Sequence, residues 1–179
     1  MRKLPLISFA LALCTLSGVA AYVAARPAVA GWREIGWPFP RDGWPAGRAF
    51  RCGTTLCGGE IDLYLRPKAG FCNCDTGVAD DDEVDRVADL DLVSAQFRAL
   101  EQGRTIQVAG MPGRIRTYDL AMTDGSKRLA VGIAVSRRCD LLVVAAHTIS
   151  ATPGFQRATV DFLATCAMAN RMNAAMNGR

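Results

Sequence analysis

The spacing of hydrophobic residues changes several times along this chain, and each change predicts a different element. Residues 60–66 alternate polar and apolar side chains, which is the period of two expected of a half-buried strand. Residues 48–53 have the pattern of a second strand, and residues 54–59 form the turn between the two. With Cys52 and Cys57 inside it, this predicted N-terminal β-hairpin is rich in cysteine.

A short acidic helix is predicted after the hairpin. Residues 80–92 place apolar side chains at helical spacing, and the helix dipole favours the acidic residues at their start. They belong to an acidic stretch, residues 75–91, which is followed by the basic stretch of residues 92–138. We expect the two stretches to partly neutralise one another in the fold. A site for a cation or a basic partner is the alternative.

The second half of the chain predicts an antiparallel β-meander. An Asp-Gly pair at 124–125 is typical of a hairpin turn, and the sequence Gly-Met-Pro-Gly supplies an earlier turn. Turns as short as these join strands that run in opposite directions. The predicted strands are residues 104–109, 114–122, 127–136 and 141–149.

A C-terminal helix is predicted to close this meander. Thr152 is a suitable N-cap with Pro153 at the first helical position, and Phe155 and Phe162 mark an apolar face. The fold class is therefore α+β: an antiparallel β-meander packed by a C-terminal helix, with the Cys-rich hairpin and the short acidic helix, in a single domain of residues 48–179. This pattern resembles that of the small exported antiparallel-sheet-plus-helices proteins of the PsbP sort.

The first thirty residues have the layout of a secretory signal. A short basic start is followed, between Leu4 and Ala25, by residues without a single charged side chain. Residues 28–30 (Ala-Val-Ala) then supply the small side chains of a processing site. We expect cleavage to leave Gly31 as the N-terminus of the mature protein. In the alternative the apolar segment stays uncleaved and contacts the membrane as an anchor, since it is long enough to span the roughly 30 Å hydrocarbon core.

Residues 31–47 form a Trp/Pro-rich arm that contains all three tryptophans of the chain. The sequence Trp37-Pro38-Phe39-Pro40 must be extended, since each proline fixes its own φ and restricts the residue before it. We expect the arm to lie over the domain with its indole rings against the core. In the alternative the tryptophans contact a membrane surface or a partner.

Export decides the chemistry expected of the cysteines, because disulfides persist in an oxidising compartment. Two bridges are expected to join the first two cysteine pairs across the hairpin. A third is expected between Cys139 and Cys166, because Cys166 is predicted on the core-facing side of the last helix, one turn beyond Phe162. The alternative is a tetrahedral site in which Cys52, Cys57, Cys72 and Cys74 hold zinc or copper(I) as thiolates. The disulfide candidates are Cys52, Cys57, Cys72, Cys74, Cys139 and Cys166.

One short motif points to catalysis. Asp75-Thr76-Gly77 matches the D-T-G motif of aspartic proteases and resembles the retroviral-type enzymes, as does the apolar pair before glycine in Ala130-Val131-Gly132. The resemblance implies a dimer in which two copies of Asp75 share a proton and activate water. The alternative is a turn in which Asp75 bonds the local backbone and Gly77 takes a positive φ.

The remaining observations favour binding over catalysis. His147 is the only histidine, so a multi-histidine metal site is excluded, and its position near a strand end is typical of a polar tip. No cofactor motif occurs, so no cofactor is expected. Removal of the basic residues in 1–30 brings the net charge of +4 close to zero, which argues against nucleic acid as a partner.

The sequence therefore predicts an exported, disulfide-stabilised binding or accessory protein without catalytic activity. It would act in the periplasm or at the outer face of the membrane, with a protein partner in the cell envelope. The alternatives are a periplasmic thiolate protein that handles zinc or copper and a dimeric aspartyl hydrolase that uses Asp75.

Overall fold

The computed structural model describes residues 31–70, 73–149 and 153–177. The predicted signal or anchor segment and Cys72 lie outside these residues. The described part is a mixed α+β fold with an antiparallel sheet, and its C-terminal helical segment packs against that sheet, so the predicted fold class is confirmed at this level. No helix in the described residues is long and apolar enough to cross a membrane.

The sheet has eight strands within the described residues, all paired antiparallel. Their order is β1-β2-β3-β8-β7-β6-β4, and β5 pairs with the other end of the long strand β6. The strands are β1 (Trp32–Ile35), β2 (Arg48–Cys52), β3 (Ile61–Lys68), β4 (Gln96–Ala99), β5 (Arg104–Val108), β6 (Met111–Ala121), β7 (Lys127–Arg137) and β8 (Asp140–Thr148).

Short helices lie between the strands and two longer ones follow β8. They are α1 (Thr54–Cys57), α2 (Asp81–Val87), α3 (Leu90–Val93), α4 (Phe155–Ala164) and α5 (Cys166–Asn177). The segment predicted as one acidic helix is thus two helices. They meet at Asp89, which has a left-handed backbone (φ 59°) that an α-helix does not continue through.

The two faces of the sheet differ in chemistry. On the face covered by α4 and α5, here called the helix face, the core is apolar, and Trp32 stacks on Phe162 with 4.3 Å between ring centroids. The opposite face, here called the arm face, is covered by α2, α3 and the first part of the arm. Strand β3 was predicted to have one face in solvent, but both of its faces are buried because the arm and the helices cover them.

The disulfide pattern differs from the predicted one. Cys52 bonds Cys57 within the turn of α1, and Cys74 bonds Cys139, so the predicted bridge between Cys139 and Cys166 is wrong. The expected pairing across the hairpin is also wrong for Cys52, Cys57 and Cys74.

The reason for the Cys166 error is a break in the helix. The last helical segment was predicted to be continuous, with Cys166 one turn beyond Phe162 on the buried side. Thr165 instead has an extended backbone (ψ 144°) that ends α4, so Cys166 begins α5 as an exposed free thiol. Cys139 lies in the turn between β7 and β8, with its Cα 4.3 Å from that of Cys74.

Candidate functional site

The arm face gathers most of the buried charge of the described residues. Every second residue of a strand points to the same face, so Tyr64, Arg66 and Lys68 of β3 share this face with His147 of β8. Two groups of side chains result. We call them the clamp cluster (Asp42, Arg66, Lys68 and Asp89) and the histidine cluster (Arg51, Asp62, Tyr64, Arg128 and His147).

The clamp cluster pairs two buried cations with two carboxylates. Arg66, only 3 % exposed, donates to Asp89 at 2.5 and 2.9 Å and to Asp42 at 2.7 and 2.8 Å. Lys68 forms an ion pair with Asp89 at 2.5 Å and donates to the Val87 carbonyl at 3.0 Å. Burial alone would lower the pKa of Arg66, but its bonds to the two carboxylates raise it. These bonds keep the buried charges compensated.

The clamp cluster also fixes the arm to the sheet. Asp42 belongs to the arm, and its bond from Arg66 lowers the pKa of this carboxyl to about 2. The Arg66 guanidinium lies 5.9 Å from the Trp37 ring, and the Lys68 ammonium lies 5.9 Å from that of Trp44. Two of the three tryptophans therefore hold the arm, whereas Trp32 packs on the helix face.

In the histidine cluster, a buried imidazole lies between a phenol and a guanidinium. His147 is 4 % exposed, its Nε2 is 3.4 Å from the Tyr64 hydroxyl, and its Nδ1 is 3.3 Å from Nη1 of Arg128. Burial, and then the charge of Arg128, lowers the pKa of His147 to about 4, so the ring is neutral at pH 7. Burial raises the pKa of Tyr64 to about 12.

The two arginines of this cluster have different partners. Arg51 donates to both oxygens of Asp62, at 2.6 and 2.8 Å, in a fork that neutralises both groups. Arg128 has no carboxylate partner within the described residues, and its buried Nε has no hydrogen-bond acceptor there. The side chains of the histidine cluster therefore carry a net positive charge among themselves, and the nearby carboxylate of Asp124, whose pKa is lowered by Ser126 and then by Arg128, lies outside the cluster.

The chemistry of His147 is not that of a catalytic triad. Its ring nitrogens face a tyrosine and an arginine, where a triad histidine would face a carboxylate and a nucleophile. A donor-rich, positively charged group of this kind is suited to holding an anion. The sequence offered His147 only as a polar strand end, and the other four members were not identified. The sequence signal that could have identified them is the alternation of charged and polar positions along β3.

Asp75 lies in an exposed turn. Its backbone N–H donates to the side chain of Asn73 at 2.9 Å, and the N–H of Gly77 donates to the Asn73 carbonyl at 2.8 Å. Gly77 has a φ of 58°, as the turn interpretation requires, although Asn73 makes the side-chain bond expected of Asp75. Gly132 has a packing role, because a Cβ there would lie 2.9 Å from that of Ala88.

The acidic and basic stretches do neutralise one another. Asp81 of α2 pairs with Arg114 of β6 at 2.6 Å. Asp85 accepts from Arg116 at 2.8 Å and from the Tyr118 hydroxyl at 2.6 Å, and burial followed by this bond raises the pKa of Tyr118. Within the described residues no group of acidic, histidine or cysteine side chains is arranged to hold a metal ion.

Three of the four ligands of the alternative metal site are bonded in disulfides. Cys52, Cys57 and Cys74 are bonded as cystines and are not available as thiolates. The fourth proposed ligand, Cys72, lies outside the described residues.

Comparison with known proteins gives only distant likenesses of fold. No protein-family model matches the chain, and no curated protein sequence matches it either. It is similar to PA94 from Pseudomonas aeruginosa, a protein of unknown function, with a TM-score of 0.44 and 17 % identity over 75 % of this chain and 94 % of that one. It is also similar to LpqN from Mycobacterium tuberculosis, which is involved in cell envelope biogenesis, with a TM-score of 0.44 and 12 % identity over 77 % of this chain and 75 % of that one. At these scores neither likeness bears on function.

Proposed function

We propose that this chain is an exported, disulfide-stabilised binding protein of the cell envelope that works without catalysis. The observation that carries the proposal is the pair of cystines, Cys52–Cys57 and Cys74–Cys139. Disulfides of this kind form in oxidising compartments and are rare in a reducing cytosol. The charge-free segment between Leu4 and Ala25 is consistent with export.

The arrangement of charged groups in the site favours binding over catalysis, because its acids are paired with cations. The acids of the clamp cluster are occupied by Arg66 and Lys68, and Asp62 is occupied by Arg51. The neutral His147 contacts Tyr64 and Arg128 and has no serine, threonine or cysteine bonded to it in the described residues. The partner we propose is a protein of the cell envelope that contacts the domain and its arm.

Export and oxidation are tested by mapping cystines in the full-length protein, purified from its native compartment after thiols are blocked with an alkylating reagent. We expect an extracytoplasmic protein with peptides joined through Cys52–Cys57 and Cys74–Cys139. The matched control is a form that lacks residues 1–30. It should stay in the cytoplasm and be alkylated at all four of these cysteines.

A cytoplasmic full-length protein with these four thiols free would overturn the proposal. N-terminal sequencing of the exported protein separates its two forms. A start at Gly31 indicates a cleaved protein, and a start at Met1 in the membrane fraction indicates an anchored one.

A further inference from the structure

The histidine cluster contains two hydrogen-bond donors without an acceptor. A guanidinium only donates, so Nδ1 of His147 accepts from Arg128, and the neutral ring carries its proton on Nε2. Nε2 then donates to the Tyr64 oxygen. The hydroxyl proton of Tyr64 and the buried Nε–H of Arg128 remain without an acceptor in the described residues.

The charge of the cluster shows the same deficit. The other buried or half-buried cations of the arm face each have a carboxylate within 2.8 Å; they are Arg51, Arg66, Lys68, Arg114 and Arg116. Arg128 faces the neutral His147 instead. The one carboxylate of the cluster, Asp62, is bonded by Arg51 of β2, the strand on the other side of β3 from β8. Arg128 is half-buried with a buried Nε, and no carboxylate of the described residues forms an ion pair with it. The exposed Asp124 is near enough for its pKa to be lowered by Ser126 and then by Arg128.

We propose that Arg128 binds an oxoanion, the carboxylate or phosphate group of a ligand. The anion accepts from the guanidinium of Arg128, whose Nε–H lacks an acceptor in the described residues. His147 is a positioning residue, because its Nδ1 accepts from Nη1 of Arg128 and holds the guanidinium in place. The site deepens the binding function proposed above by naming the chemistry of the group that is bound.

The single histidine of the chain makes this site directly observable. The experiment titrates inorganic phosphate and, separately, acetate into the mature protein and follows the imidazole carbons of His147 by NMR, with sodium chloride at matched ionic strength as the reference. An anion beside Arg128 stabilises the imidazolium, so the pKa of His147 should rise from about 4 when the anion binds. Asp62, Tyr64, Arg51 and Arg128 surround the ring and contribute the same background to every titration.

The variants test which groups hold the anion. Arg128→Gln should abolish the saturable shift, whereas Tyr64→Phe should leave the affinity nearly unchanged, because its hydroxyl lies at the other nitrogen of the imidazole. The matched control is Arg98→Gln, which removes an exposed arginine paired with Asp119 and should leave the titration unchanged. Should Arg128→Gln fail to fold, Arg128→Lys serves instead, because it keeps the charge but loses the fork and should bind at least about tenfold more weakly.

The outcomes separate the sources of the anion. Saturation by acetate alone identifies a carboxylate, and saturation by phosphate alone identifies a phosphate group. A shift no larger than that in sodium chloride, or an equal shift in Arg128→Gln, would overturn the site and indicate that water satisfies Arg128. That result would not contradict the proposal that the protein is exported. Conversely, reduced thiols in the native protein would contradict export but not the anion site.

Discussion

The Cys74–Cys139 disulfide should contribute far more to stability than Cys52–Cys57. The first closes a loop of 65 residues and ties the turn before α2 to the hairpin between β7 and β8. The second closes only 5 residues around α1. A crosslink restricts the unfolded chain more when the loop it closes is longer. The two bonds should therefore differ in how much they raise the free energy of unfolding.

The magnitude follows from the loop lengths. The chain-entropy estimate is about 4 kcal/mol for Cys74–Cys139 and about 2 kcal/mol for Cys52–Cys57. Cys52 is fully buried whereas Cys74 is exposed, so simple replacement would add a packing loss at Cys52 alone. The comparison therefore needs a design in which the packing terms cancel.

The design uses two double variants, each of which keeps one disulfide. Urea unfolding of Cys52→Ala/Cys57→Ala is measured with and without reductant, and Cys74→Ala/Cys139→Ala is treated in the same way. Reduction should remove about 4 kcal/mol from the first variant and about 2 kcal/mol from the second, or roughly 2 M and 1 M in the urea midpoint. Equal losses, or a larger loss in the second variant, would show that loop closure does not govern these bonds.

Three further perturbations test the arm face and its surroundings. Gly77→Ala should destabilise the fold by about 1–3 kcal/mol in urea unfolding, because φ is 58° and a Cβ would overlap the Ser136 hydroxyl. Asp42→Asn should loosen the arm and change tryptophan fluorescence; in the wild type the same change should appear only as pH falls from about 4 towards 2, since the pKa of Asp42 is about 2. The pKa of His147 is lowered to about 4, so the unfolded chain takes up the proton first and stability should fall between pH 6.5 and 4, a slope that His147→Gln should reduce.

The long strands could be predicted from the sequence, but two of the short edge strands, β1 and β4, could not. β3, β6, β7 and β8 carry clear alternation or long apolar runs bounded by turn residues, so their existence follows from the pattern. β4 (Gln96–Ala99) has four residues with little pattern, and it is a strand because it pairs with β6. β1 lies in the segment predicted as an extended Trp/Pro-rich arm and is a strand because it pairs with β2.

The break between α4 and α5 also has no strong sequence marker. Thr165 takes an extended backbone, and its hydroxyl donates to the Phe162 carbonyl, so a single threonine ends one helix and precedes the next. Neither proline nor glycine stands at the break. The error at this one residue produced the wrong bridge, because it moved Cys166 from the buried side to the surface.

The candidate site could not be predicted from the sequence, for a different reason. Alternation in β3 correctly separates Ile61, Leu63 and Leu65 from Tyr64 and Arg66, but it says nothing about what covers the polar side. The cover consists of an arm and two short helices that are distant in sequence. Only the register of β3 with β8 brings Asp62 opposite His147, and only the fold shows which cation forms no ion pair with a carboxylate in the described residues.

Arg128 is difficult to explain by stability alone. Arg128 is half-buried and bonds a neutral ring, so its charge should contribute little net stability and an apolar side chain of similar length should be tolerated or favoured there. Arg128→Met should therefore raise the urea midpoint in buffers free of oxoanions, and phosphate or acetate should stabilise the wild type alone, because a ligand stabilises only the form that binds it. A variant destabilised in both buffers would mean that Arg128 serves the fold. Stability gained at the expense of anion binding is what a side chain kept for a ligand should show.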